Sequence, residues 1–389
     1  MDTQLTSEER LMVEAVERLA TERIAPRAAE IDRVNEYPWD IKELLAEHGV
    51  LMMPFPAAYG GVGASELALA YAVEVIARES MTASLILAMQ QLGALPILLA
   101  GSEQQKRRYL PPLASGEWLV AYGLTEPGAG SDIGALRTRA ERRGDHYVLT
   151  GGKQFITNAG LAHVNVIFAM TDPARGADGG ISAFIVESGT PGFRAGKIED
   201  TMGIRGSQNG ELLLDDCAVP VENLIGQEGD GYRLALATFD RARVGIGAQA
   251  VGVAHGAFEY AVRYARQRIQ FGQPIAEHEG VQFLIADLAT QIDAARLLVY
   301  RAATLLDAQA HPLAITKATA MAKLFASDVA MRVTTEAVQL LGGYGYTREY
   351  PVERMMRDAK ITQIYEGTTQ MQRLAIARAV LARTQAESA

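Results

Sequence analysis

Ile364-Tyr365-Glu366-Gly367-Thr368, near the C-terminus, sets a carboxylate between an apolar-aromatic pair and a Gly-Thr step that opens a helix. Thr368 or Thr369 can cap that helix, whose apolar face would be Met371, Leu374, Ala375 and Val380. Gly367 lets the backbone turn sharply and lets a ligand come close. Ile364 and Tyr365 would desolvate Glu366 and raise its pKa toward that of a general base, while the positive helix end would pull it down. Read locally, the same residues also serve as a capping turn with an incidental Glu.

A second segment bears on that choice. Tyr122-Gly123-Leu124-Thr125-Glu126-Pro127-Gly128-Ala129-Gly130-Ser131-Asp132 combines a turn-forming Pro-Gly with small residues and hydroxyls. Such a loop can set backbone N–H groups against a flat or anionic ligand, although most Gly-rich loops are only turns. Further landmarks stand between the two segments: Lys153-Gln154-Phe155-Ile156-Thr157-Asn158, Met202-Gly203-Ile204-Arg205-Gly206-Ser207, Asp240-Arg241-Ala242-Arg243, Arg268-Ile269-Gln270-Phe271-Gly272 and Gln339-Leu340-Leu341-Gly342-Gly343. In this order, and over nearly the whole chain, the set resembles the acyl-CoA dehydrogenase family of flavoproteins.

Composition is compatible with that resemblance. A chain of 389 residues can bury large cores and hold two or three domains. Apolar residues make up 49% and charged residues 21%, as in ordinary globular proteins. A net charge of −9 gives a nucleic-acid role no electrostatic support. The single cysteine, Cys217, rules out an intrachain disulfide and fits a reducing compartment. Residues Met1 to Arg10 are polar and acidic, without the apolar core of a secretory signal. The apolar stretch Leu85–Ala100 is broken by Gln90, Gln91 and Pro96, so no membrane span is expected. A bacterial cytoplasmic protein is the expectation.

The texture of the chain changes twice. Residues 1–118 read as helical, with a helix start at Thr6-Ser7-Glu8-Glu9 and further helices over Leu67–Ala77 and Met81–Ala100. Residues 119–230 hold short β-rich runs, among them His146–Leu149, Val164–Met170, Ile181–Val186 and Glu211–Leu214, punctuated by Gly, Pro and Asp. Helical periodicity returns over 232–267, 279–310, 315–341 and 368–383, giving a third unit at 231–389. The expected class is multidomain α+β: an N-terminal helical domain, a middle antiparallel β-domain and a C-terminal helical bundle. The resemblance implies the same three parts, in a homotetramer built as a dimer of dimers.

No Rossmann fingerprint is present, since Gly61-Val62-Gly63 lacks both the third glycine and a preceding strand. The resemblance implies FAD in an extended pose between the β-domain and the C-terminal helices, with a neighbouring subunit closing the site. Tyr122, Leu124, Thr125, Gly130 and Ser131 would then line the flavin ring and ribityl side. Phe155, Ile156 and Thr157 would form a second wall, with the Thr157 hydroxyl near flavin N5. A buried strand pair is the competing reading of Phe155-Ile156. Several members carry Trp where this chain has Phe155; Phe keeps the aromatic wall but lacks the indole N–H.

The resemblance further assigns Arg268 and Phe271 to the segment reaching the FAD diphosphate, a contact that suits a guanidinium. A solvated helix-end Arg is the plainer alternative. His278 is carried over with them, although Glu279 stands where many members have Gln. Gln339 to Gly343 would meet the adenine end from the other subunit, and Thr368 and Gln370 would complete the cofactor contacts. Ser131, Asp240, Arg243, Tyr365 and Gly367 match positions near the acyl-CoA thioester, with an intrahelical ion pair as the simpler account of Arg243. Arg205 belongs to a widespread family motif without an assignable role.

The implied chemistry is α,β-dehydrogenation. Glu366 removes the α-proton, the β-hydrogen leaves as hydride to the flavin, and the Glu366 N–H with a ribityl hydroxyl polarises the thioester carbonyl. One subgroup places its base one residue before Arg243; here that residue is Ala242, which leaves Glu366 as the base. Electrons would pass to an electron-transfer flavoprotein. The alternatives are a dehydrogenase of a carrier-protein-bound acyl group, an oxidase using O₂, and a non-catalytic flavin-binding relative. Scattered histidines and one cysteine make metal chemistry unexpected. Met89, Gln90, Gln91, Leu92 and Leu95 either narrow the acyl pocket, favouring a short, medium or branched acyl group, or simply face the core.

Overall fold

The computed structural model describes residues 5–386. Met1–Gln4, part of the polar, acidic N-terminal stretch read from the sequence, and the last three residues lie outside the described residues. The N-terminal part holds α1 (Ser7–Leu19), α2 (Ala28–Val34), α3 (Trp39–Glu47), α4 (Glu66–Glu79), α5 (Met81–Ala100) and α6 (Glu103–Ala114). Four of these start on hydroxyl caps. Thr6 Oγ1 accepts from Glu9 N at 3.2 Å while Glu9 Oε2 accepts from Thr6 N at 2.9 Å. Ser102 repeats this reciprocal box with Gln105 on α6, while Ser65 and Ser80 cap α4 and α5 by accepting from Ala68 N and Ala83 N. Such a cap is worth about 1 kcal/mol and fixes where each helix begins.

Helix α5 is long and apolar enough to cross a membrane, yet it is buried in the core. Its Gln90 accounts for part of that burial. The amide Nε2 donates to Leu113 O at 2.8 Å and Trp118 O at 3.0 Å, and Oε1 accepts from Val120 N at 3.3 Å. Gln90 thus joins α5 to the end of α6 and to the first strand, and it belongs to the core.

The middle part is an eight-stranded sheet of β1 (Val120–Gly123), β2 (Arg139–Arg143), β3 (His146–Thr157), β4 (Val164–Met170), β5 (Ile181–Glu187), β6 (Phe193–Ile198), β7 (Asn209–Pro220) and β8 (Leu224–Ile225), with a one-turn α7 (Ala177–Gly180) before β5. The order is β6-β7-β3-β2-β4-β5-β8, with β1 beside β4. Antiparallel pairing dominates, but β1 runs parallel to β4, and β2 meets β4 in parallel at Arg139 and Met170. Strand β4 is buried on both faces because successive side chains point to opposite cores. Val164, Val166 and Phe168 join the large helical core, while Ile167 and Ala169 join a smaller core with Tyr147, Leu149 and Phe184.

The C-terminal part holds α8 (Gly231–Gln267), a hairpin of β9 (Ile269–Gln270) and β10 (Gln273–Pro274), then α9 (Glu279–Asp307), α10 (Pro312–Leu341), α11 (Val352–Lys360) and α12 (Thr369–Ala386). Helix α10 starts earlier than its apolar period suggests. Pro312 suits the first helical turn, and His311 Nδ1 accepts from Leu313 N. The apolar face expected for α12 is not the buried one. Leu374 and Val380 are exposed, whereas Thr369, Gln372 and Ala379 face the chain. The polar Gln372 is drawn inward because its amide donates to the Gly367 carbonyl at 2.8 Å.

The Met202–Ser207 loop fastens the three parts together. Ile204 N donates to the buried Asp358 carboxylate at 2.6 Å, and Burial raises the Asp358 pKa to about 6. Arg357 beside it grips both oxygens of Asp32 at 2.8 Å and also binds Glu353. Arg205, without a role in the sequence reading, donates to Asp32 O, Asp200 and Thr201 O. A Cβ on Gly203 would stand 2.4 Å from Arg357 O, so the loop and α11 touch backbone to backbone only because that residue is Gly.

Candidate functional site

Glu366 lies between the short turn after α11 and the start of α12, at φ 50°. Gly367 follows at φ 90°, and a Cβ there would approach Gln372 Nε2 to 2.7 Å. Two consecutive left-handed residues are costly for the Glu and easy for the Gly. They reverse the chain between Tyr365, whose hydroxyl donates to Gln249 Oε1 at 2.7 Å, and Thr368, whose Oγ1 accepts from Met371 N at 3.3 Å. Thr368 is therefore the cap of α12.

The residue as a whole is half-buried, but Glu366 Oε2 is buried and has no hydrogen-bond partner. Burial pushes the Glu366 carboxyl up to about 7, against the pull of Lys323 and Arg243. Tyr122 OH and Arg243 Nε are likewise buried and unpartnered. Both groups feel the charge of Glu366, and the Tyr122 phenol is held well above its usual range by burial and by that charge. Three unpartnered polar atoms in one neighbourhood are costly unless a ligand reaches them.

Arg243, on α8, makes the intrahelical ion pair offered as its simpler account. It pairs with Asp240 at 2.8 Å, and Asp240 also accepts from Thr316 Oγ1 at 2.6 Å. Its Nε is left without a partner, and its charge acts on Glu366. Ala242 beside it is buried in the core.

The two candidate flavin walls are joined by a buried ion pair that the sequence reading missed. Lys153 Nζ contacts Glu126 Oε1 at 2.7 Å and donates to Leu124 O at 3.3 Å. The Glu126 carboxylate also accepts from Arg137 N and Thr138 N, and Gln154 N donates to Thr125 O. The 122–131 loop is thereby fixed against β3. Its tip is open: Gly130 and Ser131 are exposed, and a Cβ on Gly128 or Gly130 would meet nothing within 4 Å. On β3 a register shift between Lys153 and Ile156 turns Phe155 outward at φ 58° and 62% exposure, while Ile156 stays buried. A buried strand pair is therefore not what these residues form. Thr157 is half-buried, within reach of Asn209 Nδ2 at 3.4 Å.

Arg268, Gln339 and Gly343 meet elsewhere, in a groove of about 440 Å³ that also includes Tyr264, Gln270 and Tyr344. None of the Glu366 neighbours lines it. Arg268 ends α8, and its guanidinium lies 5.5 Å from the Tyr344 ring centre. The adjoining hairpin carries Phe271 at 96% exposure, with His278 against its ring. Gln370 is exposed at the head of α12. A single chain thus holds two separate groups of candidate cofactor residues.

An exposed aromatic wall, open glycine backbone and unpartnered polar atoms fit a flat, polar ligand such as a flavin. The buried Lys323 was not singled out from the sequence; it stands among Ala and Leu on α10 and would pass for a surface residue.

Comparison with known proteins gives the same reading. Residues 6–117, 121–217 and 229–381 match the N-terminal, middle and C-terminal domains of acyl-CoA dehydrogenase. A short-chain-specific acyl-CoA dehydrogenase from Clostridium acetobutylicum is 49% identical, over 97% of this chain and 98% of its own. Butyryl-CoA dehydrogenase from Megasphaera elsdenii superposes with a TM-score of 0.94 at 45% identity, covering 98% of this chain and 100% of that one. A chain solved in work on the electron transferring flavoprotein of Acidaminococcus fermentans superposes at 0.95 with 46% identity, again covering 98% and 100%. The chain belongs to the acyl-CoA dehydrogenase family, an FAD-dependent enzyme that dehydrogenates acyl-CoA.

Proposed function

We propose that this enzyme converts a short-chain acyl-CoA to its trans-2-enoyl-CoA with Glu366 as the base. The observation that carries this is the unpartnered Glu366 carboxylate, buried beside Arg243 and Tyr122. A carboxyl raised to about 7 accepts a proton more readily than an ordinary one yet is still ionised at slightly alkaline pH. In this reading Glu366 takes the α-proton and its backbone N–H polarises the thioester carbonyl. Tyr365 and Gly367 flank the acyl group, and Arg243, Asp240 and Ser131 orient the thioester. FAD, when bound, supplies the two-electron acceptor for the β-hydride. Tyr122, Leu124, Thr125 and Gly130 wall one side of it, and Phe155, Ile156 and Thr157 the other, with Thr368 and Gln370 alongside. Arg268, Phe271, His278, Gln339 and Gly343 hold the diphosphate and adenine of a cofactor shared with a second copy of the chain. That sharing accounts for two separate groups in one chain and supports a homo-oligomer, a dimer of dimers.

The short acyl group rests on the named specificities of the relatives from C. acetobutylicum and M. elsdenii. An electron-transfer flavoprotein as acceptor rests on the likeness to the A. fermentans chain. The cytoplasm is the compartment where these partners would meet. Glu366→Gln keeps the shape but cannot take the proton as a carboxylate does. It should bind FAD and butyryl-CoA and lose at least about 10²-fold in flavin reduction. Bleaching at the wild-type rate would remove Glu366 as the base. A screen across acyl chain lengths, on CoA and on carrier protein, tests the substrate.

A further inference from the structure

Lys323 has no exposed surface and stands on α10, where its charge and that of Glu366 act on each other. Its Nζ donates to Gly367 O at 2.6 Å, the carbonyl that also accepts from Gln372 Nε2 at 2.8 Å. Among the described residues no carboxylate contacts the ammonium directly. The strongest hold on its charge is Glu366, opposed by Arg243 and ahead of Asp328, which is itself engaged by Arg373 and Gln363. Burying a lone ammonium is costly, and an unpartnered carboxylate across the turn offsets that cost only while both are ionised.

We propose that Lys323 is a positioning residue of proton abstraction: it clamps the left-handed turn at Gly367 and supplies the charge that keeps Glu366 ionised and facing the substrate. The two functions are separable. The clamp needs only a donor on the Gly367 carbonyl. The electrostatic effect needs a cation, and on α8 only Arg243 provides a second one toward Glu366. The other titratable groups facing the turn are Tyr122 on β1, Tyr365 beside the base and Asp358 on α11. None of these adds positive charge. Burial pulls the Lys323 pKa down and the Glu366 charge holds it up, so each charge of the pair is kept by the other. This inference rests on Glu366 being the base.

The test uses the FAD-loaded enzyme with Lys323→Gln, Lys323→Met and Lys323→Arg, and butyryl-CoA as the probe. Gln retains a donor without charge, Met removes both, and Arg keeps charge and donor. Flavin reduction is followed in a single turnover against pH, and the ionisation of Glu366 is read without substrate from the carboxyl infrared band that Glu366→Gln abolishes. In Lys323→Gln the acid limb and the infrared titration should both move up by about one to three pH units, the range for loss of a neighbouring charge. Lys323→Arg should bring both back. A Lys323→Gln enzyme that titrates like wild type overturns the proposal, as does lowered thermal stability with an unmoved acid limb. Should Glu366→Gln itself bleach normally, the assignment of the base falls instead, and the two failures are told apart.

Discussion

Lys153 Nζ and Glu126 Oε1 lie 2.7 Å apart, and both side chains are almost fully enclosed. The pair fastens the 122–131 loop to β3, so the two surfaces assigned to the flavin move as one body. Removing one partner leaves the other buried and uncompensated. Glu126→Ala should therefore cost about 3–5 kcal/mol in urea unfolding. Glu126→Leu combined with Lys153→Met should cost clearly less. Equal losses in the single and double variants would mean that the pair is not coupled.

The pH dependence of the chemistry follows from Glu366. Burial raises its carboxyl from an ordinary 4.5 to about 7, with Lys323 and Arg243 opposing. Only the carboxylate accepts the α-proton, so flavin reduction should rise with pH through about 7 and level off above it. The same raised pKa makes the folded protein prefer neutral Glu366. Its contribution to stability is fully present below 4.5 and is lost as pH rises through about 7. Glu366→Gln should remove this component from the pH dependence of unfolding. Reduction that stays at its full rate well below pH 6 would show that the base is less buried than it is here.

Arg268→Ala should weaken FAD retention while leaving flavin reduction in the fully loaded enzyme nearly unchanged. The guanidinium stands over Tyr344 in the groove with Gln339 and Gly343, apart from the Glu366 neighbourhood. One charge-assisted contact is worth about 1.5–3 kcal/mol, so the FAD dissociation constant should rise about 10-fold or more. Flavin loss and loosening of the oligomer should appear together, because a shared cofactor links the two equilibria. Titration of FAD into the mutant apoprotein, followed by sedimentation, checks both. An unchanged dissociation constant would leave Arg268 as a helix-end charge.

The sequence by itself determined the element types and most of their limits. Caps and periods are local: Thr6 with Glu9 opens α1, the Met81–Ala100 run is α5, and Val164–Met170 is β4. It also singled out Glu366, because the acid and the Gly-Thr turn that positions it are consecutive. Tertiary structure decided what depends on residues far apart in the chain. Nothing near Lys323 says that it turns inward toward Gly367, since a Lys on an Ala-rich helix is ordinarily solvated. Nothing near Arg205 points to Asp32, nor does anything near Gln90 show that its amide would be used by α6 and β1. The exposure of Leu374 and Val380 has the same origin. Hydrophobic period predicts that an apolar face will be covered, but the hydrogen bonds of Gln372 decided which face of α12 this chain covers. Local hydrogen bonding and side-chain period are encoded within a few residues, whereas the pairing of buried charges depends on how whole helices pack.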